Sequence, residues 1–572
     1  MLAQMFPFLS WLKTYDRKKC IADLSAGLTV AVILVPQAMA YAMLAGLPPV
    51  YGLYAGLVGA GIASLFGSST QLSTGPVAIV SFLVLTSLTP FAVPESETFI
   101  GYAILLALLV GLIQLLMGVF RLGFMMSFVS HAVIVGFTNA AALIIASTQI
   151  PSFLGIKVGQ HELVFETFAD IAKNLPSTHL PSLTISVLSI AAILILRRIH
   201  TAFPAALIVV VISILASSYF GFEALGIKVV GSVPSGIPFP ALPTLSLDMM
   251  SDLLGTALII SIIGFMEAFA IAKSLAAKMK EKLDVNQELI GQGLANITVS
   301  LFRGYPVSGS FSRSAVNNLA GAKTGMAGIF VSLFVLLALL FVAPYLYALP
   351  KAVLAAIVIV AVAGLVDIRQ LNTLWKTSRS DGAVAIATFA FAFLMKPDYA
   401  IFIGIILSLM LFLRKTMRPD LAILGRDEER HAFADIKDDP AARCCPYITL
   451  VRPDRALYFA NIDTIIESAE KIISEHKPRV FIVDGEAINF IDATAIEMLK
   501  YFIHEKEAAG LHILFINLKE DVRATFRRAG MDDFLKKNAS IMGKSEAIQY
   551  GKSLLPAECC TTCTARIFQE CK

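Results

Sequence analysis

The chain has 572 residues, 57% hydrophobic and only 15% charged, with a mean hydropathy of +0.75. That composition belongs to the membrane class and excludes an ordinary water-soluble globule. The net charge is +4, and no basic stripe interleaved with aromatics is present, so no nucleic-acid partner is expected.

The charge is unevenly spread. After a polar start containing Lys13, Arg17, Lys18 and Lys19, long apolar runs alternate with short polar breaks until about residue 413. No small-residue cleavage site follows the basic start, so a signal peptide is not expected. We therefore expect a cytosolic segment (1–23), a transmembrane domain (24–414), a linker and start of the cytosolic region (415–445), a small α/β domain (446–553) and a cysteine-containing tail (554–572).

A spanning helix needs about 20 apolar residues. Candidates begin near Leu24, Val50, Pro76, Ile100, Met125, Ser182, Ala202, Leu253, Leu289, Val307, Met326, Ala352, Ala383 and Ala400, which makes fourteen. Alternate loops carry Arg121, Arg197, Arg198, Lys273, Lys278, Lys280, Lys282, Arg369, Lys376 and Arg379, and Arg414, Lys415 and Arg418 leave the last span on the same side. The opposite loops hold scattered lysines, among them Lys157, Lys173, Lys228, Lys351 and Lys396. By the positive-inside rule both termini are expected to be cytoplasmic.

Two segments are poor spanning helices: "GSSTQLSTGPVAIVSFLVLTSL" (67–88) and "RGYPVSGSFSRSAVNNLAG" (303–321). They are the third and tenth in order, hence third in each half of seven. Interrupted segments at matching positions of two halves point to a binding site near the membrane midplane. Pro76 and Pro306 are read at or just before helix starts, where proline's missing N–H costs nothing. Two helix N-termini together offer about one unit of positive charge and free N–H donors. Ser308, Ser310 and Ser312 add hydroxyls, and Arg313 adds a full charge. An anion site results. Glu267 lies within the apolar run "ISIIGFMEAFAIAK", where an acid is a functional candidate able to take up a proton. Gln37 and Tyr41, one turn apart on the first span, line the same cavity or simply pack. Competing structural roles are an interface anchor for Arg313, a tie to Lys273 for Glu267, and close helix packing for the serines.

From about residue 446 short strands alternate with amphipathic helices. The stretch 479–488 reads as a buried strand, 493–510 as a helix closed by Gly510, 511–518 as a strand and 520–530 as a helix. Thr494 falls at a helix start, as a cap or as a regulatory position. Six of the seven cysteines lie in this polar part. The tail is read as disordered with free thiols, and its "CCTTC" gives one CxxC, a metal or redox signal without a second pair. No catalytic constellation is found, and dimer contact and regulation are the expected work of this domain.

The motifs "LPPVYGLYAGL" (47–57), "STGPVAIVS" (73–81) and "GYPVSGSFSRSAVNNLAGAKTG" (304–325) resemble the sulfate permease (SulP) anion transporters, and the C-terminal part resembles a STAS domain. The resemblance implies a polytopic α-helical membrane protein with fourteen transmembrane segments in two inverted seven-helix repeats, forming core and gate domains, followed by a cytosolic α/β STAS domain. It implies a substrate site between the third and tenth helices. Substrate-binding positions would be Val77, Ala78, Ser310, Ser312 and Arg313, with Gln37 and Tyr41 as the first-helix wall. Glu267 would be the proton-coupling acid on the eighth helix, and Thr494 matches a position phosphorylated in soluble STAS regulators. Where some sodium-coupled relatives have a threonine one turn after the acid, this chain has Ile271, which leaves proton coupling favoured. The expectation is a proton-coupled symporter of an inorganic oxyanion, most closely sulfate, working by alternating access as a homodimer in a plasma or inner membrane. It needs no cofactor and no metal, and it is not an enzyme. Alternatives are a bicarbonate, chloride or dicarboxylate transporter or exchanger of the same family, a passive anion channel, or a nucleobase transporter of similar architecture.

Overall fold

The computed structural model describes residues 6–571 except 125–128, 160–163, 200–204, 232–235, 244–245, 396, 428, 431, 540–542 and 562. The expected span starts at Met125 and Ala202, and Lys396, lie outside the described residues. The chain forms two compact units, 1–408 and 409–572.

The first unit is helical. Its first seven membrane helices are α1 (Arg17–Leu44), α2 (Pro49–Phe66), α3 (Ala78–Leu88), α4 (Glu97–Val119), α5 (His131–Leu154), α6 (Leu180–Ile199) and α7 (Ala205–Phe220). The second set is α8 (Leu247–Met279), α9 (Val285–Leu301), α10 (Phe311–Leu319), α11 (Met326–Leu337), α12 (Lys351–Ala363), α13 (Arg379–Leu394) and α14 (Pro397–Met417). Nine helices among the described residues are long and apolar enough to cross a membrane. That is fewer than the fourteen expected spans, because several of the expected segments, α3 and α10 among them, are short.

Each short third helix is preceded by a two-residue strand, β1 (Thr74–Gly75) before α3 and β2 (Ser308–Gly309) before α10. The helices sort into two groups by packing: α9 lies on α2 and α4, α11 on α1 and α2, and α8 on α4, whereas α12 and α13 lie on α5, and α12 also on α6. Small residues let the first group close up. A Cβ at Gly111 of α4 would lie 2.6 Å from the backbone nitrogen of Ile297 on α9, so only glycine permits this crossing.

The second unit carries a five-stranded sheet in the order β4-β3-β5-β6-β7. Its strands are β3 (Leu421–Asp427), β4 (Ala432–Asp435), β5 (Ile448–Pro453), β6 (Val480–Asp484) and β7 (His512–Ile516). β5, β6 and β7 are parallel, and β3 is antiparallel to β4 and β5. Residues 415–445, read above as linker, thus supply two strands of the same sheet. Helices α15 (Ile462–His476) and α16 (Ala493–Ala508) cover one face through Ile465, Ile472, Ile496 and Leu499. α17 (Lys544–Ser553) covers the other through Ala547 and Ile548. Gly510 follows α16 at φ +86°, a left-handed stop. Leu555, Ile567 and Phe568 are buried on the α17 face. The tail is therefore packed, not disordered as expected, because it brings its own apolar anchors.

Candidate functional site

The two polar breaks meet. Thr74 pairs with Gly309 and Gly75 with Ser308 in an antiparallel ladder, and the Ser310 N–H donates to the Ser73 carbonyl at 3.0 Å. This short ladder satisfies backbone groups that lipid could not. From it α3 and α10 depart, with Val77 and Ser310 as N-caps, and neither cap makes a side-chain hydrogen bond to its helix. The first-turn N–H groups of both helices consequently have no intrahelical acceptor.

Around these termini lies a cavity of about 250 Å³. Its lining includes Gln37 and Tyr41 of α1, Val77, Ala78 and Ile79, Ser310, Phe311 and Ser312, and Glu267 of α8. Ser310 and Ser312 hydroxyls stand 3.3 Å apart. Glu267 Oε2 is buried and has no hydrogen-bond partner among the described residues. The tie to Lys273 is not formed: Lys273 Nζ stands over the Phe269 ring, 5.9 Å from its centroid.

Arg313 does not line this cavity. It is fully buried, donating from Nη1 to the Pro76 carbonyl at 2.9 Å and to Gln37 Oε1 at 3.5 Å. As the third residue of α10 it turns toward β1 and α1, where a Cβ on Gly75 would meet Nη2 at 3.2 Å. Its Nε and Nη2 have no hydrogen-bond partner among the described residues, and its charge acts electrostatically on Glu267 and Tyr41. Two further expectations are corrected. Ser308 donates to the Gly264 carbonyl at 2.6 Å and so serves as a tie to α8. Pro306 sits ahead of β2 instead of at the start of α10, which begins at Phe311.

Two sets of residues went unnoticed in the sequence. The far wall comes from Arg197 at the end of α6 and from Val360, Ala361, Gly364 and Leu365 at the end of α12. Arg197 was read only as a basic loop residue that sets orientation. The second set is a polar stripe on α9, at every fourth residue. Glu288 accepts the N–H groups of Ser68 and Ser69 at 2.8 and 3.0 Å. Gln292 donates to Thr74 Oγ1 at 2.8 Å. Asn296 accepts the Val307 N–H at 2.8 Å and donates to the Val307 carbonyl at 3.1 Å. The stripe holds both unwound segments, and its i, i+4, i+8 spacing inside a segment expected to span the membrane was the available signal.

In the second unit, α16 is capped by Asp492, which accepts the Ala495 N–H at 2.8 Å. Thr494 is exposed in the first turn and is not the cap.

A model described as the sulfate permease family matches residues 21–388, and a STAS domain model matches 439–542. Sulfate transporter 4.1, chloroplastic, of Arabidopsis thaliana is 36% identical over 565 residues, covering 95% of this chain and 82% of that protein. The sodium-independent sulfate anion transporter of Bos taurus is 30% identical over 556 residues, covering 91% of this chain and 87% of that one. Among solved structures, the murine Solute Carrier 26 family member A9 anion transporter in the inward-facing state matches with a TM-score of 0.88 at 26% identity, covering 96% of this chain and 94% of that chain. The transmembrane domain of the cyanobacterial bicarbonate transporter BicA matches with a TM-score of 0.60 at 23% identity, covering 69% and 98%, a likeness of fold alone.

Proposed function

Because the chain belongs to the sulfate permease family, we propose that it carries sulfate together with a proton by alternating access. Membership makes it a multi-pass membrane transporter of anions and not an enzyme. The observation that carries the substrate reading is the pair of uncapped helix N-termini, α3 and α10, converging on one cavity that Glu267 also lines. The relatives of highest identity reported above are themselves sulfate transporters by name.

Charge supports the coupling. Two helix ends contribute about +1 in total, Arg313 one more, and an ionised Glu267 removes one. The empty site then carries about one positive charge, and a bound dianion would leave it about one negative. A proton on Glu267 restores neutrality inside a low-dielectric site, where an unbalanced charge is costly. Substrate binding is assigned to the helix ends with Gln37, Tyr41, Val77, Ala78, Ser310 and Ser312, with Arg313 supplying charge from beside β1 and α1.

The protein works in a plasma or inner membrane with both termini cytoplasmic, as a homodimer with contacts through the STAS domain. Thr494, exposed beside the Asp492 cap, is its regulatory phosphorylation position.

Labelled sulfate uptake into liposomes, with and without an inward proton gradient, tests the proposal. Gradient-driven uptake in the native protein, abolished by Arg313→Ala and uncoupled by Glu267→Gln, is the expected result. Uptake indifferent to the gradient would mean a channel or exchanger and reduce Glu267 to structure. Liposomes that accumulate bicarbonate, chloride or a dicarboxylate but not sulfate would replace the substrate.

A further inference from the structure

The second unit contains a small cavity of about 40 Å³ that no step of transport uses. Four thiols line it, Cys445, Cys560, Cys563 and Cys571, together with Lys552 and Arg566. The lone CxxC of the tail, Cys560 and Cys563, thus acquires two further thiol neighbours, Cys445 ahead of β5 and Cys571 later in the tail. All seven cysteines are free.

The thiols are held by the fold. Tyr447 and Ile448 direct backbone N–H groups at the Cys445 sulfur. On the tail side, Phe568 is buried, Lys552 Nζ donates to the Glu570 carbonyl at 2.6 Å, and the Ser545 hydroxyl donates to the Glu570 carboxylate. The Cys571 N–H closes a turn on the Phe568 carbonyl at 3.0 Å. Cys571 and Cys563 both lie in electrostatic reach of Cys445 and of Cys560, with Cys571 the stronger thiol neighbour of each. Among the described residues no group of three His, Cys, Asp or Glu side chains is placed to hold a metal ion. The cluster is therefore arranged for pairwise thiol chemistry more than for coordination.

We propose that Cys571 forms a reversible disulfide with Cys445 by exchange with a low-molecular-weight disulfide, latching the tail to the sheet of the STAS domain. The Cys571 thiolate attacks one sulfur of the small disulfide, giving a mixed disulfide and one small thiolate. The Cys445 thiolate then attacks the Cys571 sulfur and expels the second small thiolate. Two protein thiols are oxidised, one small disulfide is reduced, and the two protons lost by the cysteines go to the two departing thiolates. Lys552 and Arg566, which line the same cavity, draw in a disulfide that carries carboxylates. The closed loop spans nearly the whole domain, so the latch stabilises it by restricting the unfolded chain.

Full-length protein in lipid nanodiscs is equilibrated with glutathione at increasing ratios of oxidised to reduced form. Free thiols are then alkylated, and peptides are mapped by non-reducing mass spectrometry. The expected product is a peptide joining Cys445 to Cys571 that rises with the ratio and disappears with reductant, while Cys20 remains alkylated. Cys445→Ser should transfer the pairing of Cys571 to Cys560. Oxidation should also raise the midpoint of thermal unfolding of the native protein reversibly by several degrees. Cys571 remaining fully alkylated in the native protein at every ratio overturns the proposal. So does a disulfide confined to Cys560 and Cys563, or alkylation blocked by a stoichiometrically bound metal.

Discussion

Arg313 is the largest fully buried side chain of the described molecule, and its hydrogen bond to the Pro76 carbonyl ties α10 to the start of α3. A lysine would keep the charge but lose the planar fork that reaches Pro76 and Gln37 together. Arg313→Lys should cut the initial rate of sulfate uptake by about tenfold, equivalent to about 1.4 kcal/mol, and Arg313→Ala by more, measured at equal amounts of reconstituted protein. Arg197 has a different role to test. It lines the cavity from the opposite wall and has no ion-pair partner among the described residues. A charge so placed concentrates anions at an entrance and is screened by salt. Arg197→Gln should raise the half-saturating sulfate concentration severalfold with little change in maximal rate. The salt dependence of that concentration should weaken as well.

At the scale of elements, α9 is a polar brace. Its stripe of Glu288, Gln292 and Asn296 supplies hydrogen bonds to both unwound segments, so the two half-helices share one backing. Asn296→Leu would leave the Val307 N–H and carbonyl unpaired in a dry interior, at a cost of about 2–4 kcal/mol. The check is a lower thermal midpoint of the purified protein accompanied by loss of uptake. In the STAS domain, Asp492 accepts N–H groups from Ala495 and Phe459, each at 2.8 Å. Asp492→Ala should cost about 1–2 kcal/mol of that domain's stability, read from its denaturant midpoint, with sulfate uptake retained.

Across the whole molecule, what could be read in advance followed from periodicity and punctuation. The interrupted segments at 67–88 and 303–321 were visible because Gly, Pro and Ser break an otherwise continuous apolar run, and strands near 480 and 512 because β-branched residues cluster between turns. The direction of a side chain was not visible. The sequence places Arg313 a few residues into a helix, but only the packing of α10 on α1 and the Pro76 carbonyl turns it away from the cavity. Arg197 was hidden for a related reason, since a charge in the last turn of a span reads as an orienting loop residue wherever the facing helix lies. Residues 421–435 were hidden because "LAILGRDEERHAFAD" mixes strand and linker character, and its pairing partner, β5, starts only at Ile448.

The ladder joining Thr74 to Gly309 has a consequence for biogenesis. Its two strands are separated by most of the membrane domain, so no nascent chain holding only the first seven helices can complete either the ladder or the cavity. Until α9 and β2 emerge from the insertion machinery, the polar residues 67–76 must wait in the bilayer without their eventual partners, a state open to misassembly and quality control. Pulse-labelled protein truncated before Val285 should accordingly be degraded faster than protein truncated after Leu319.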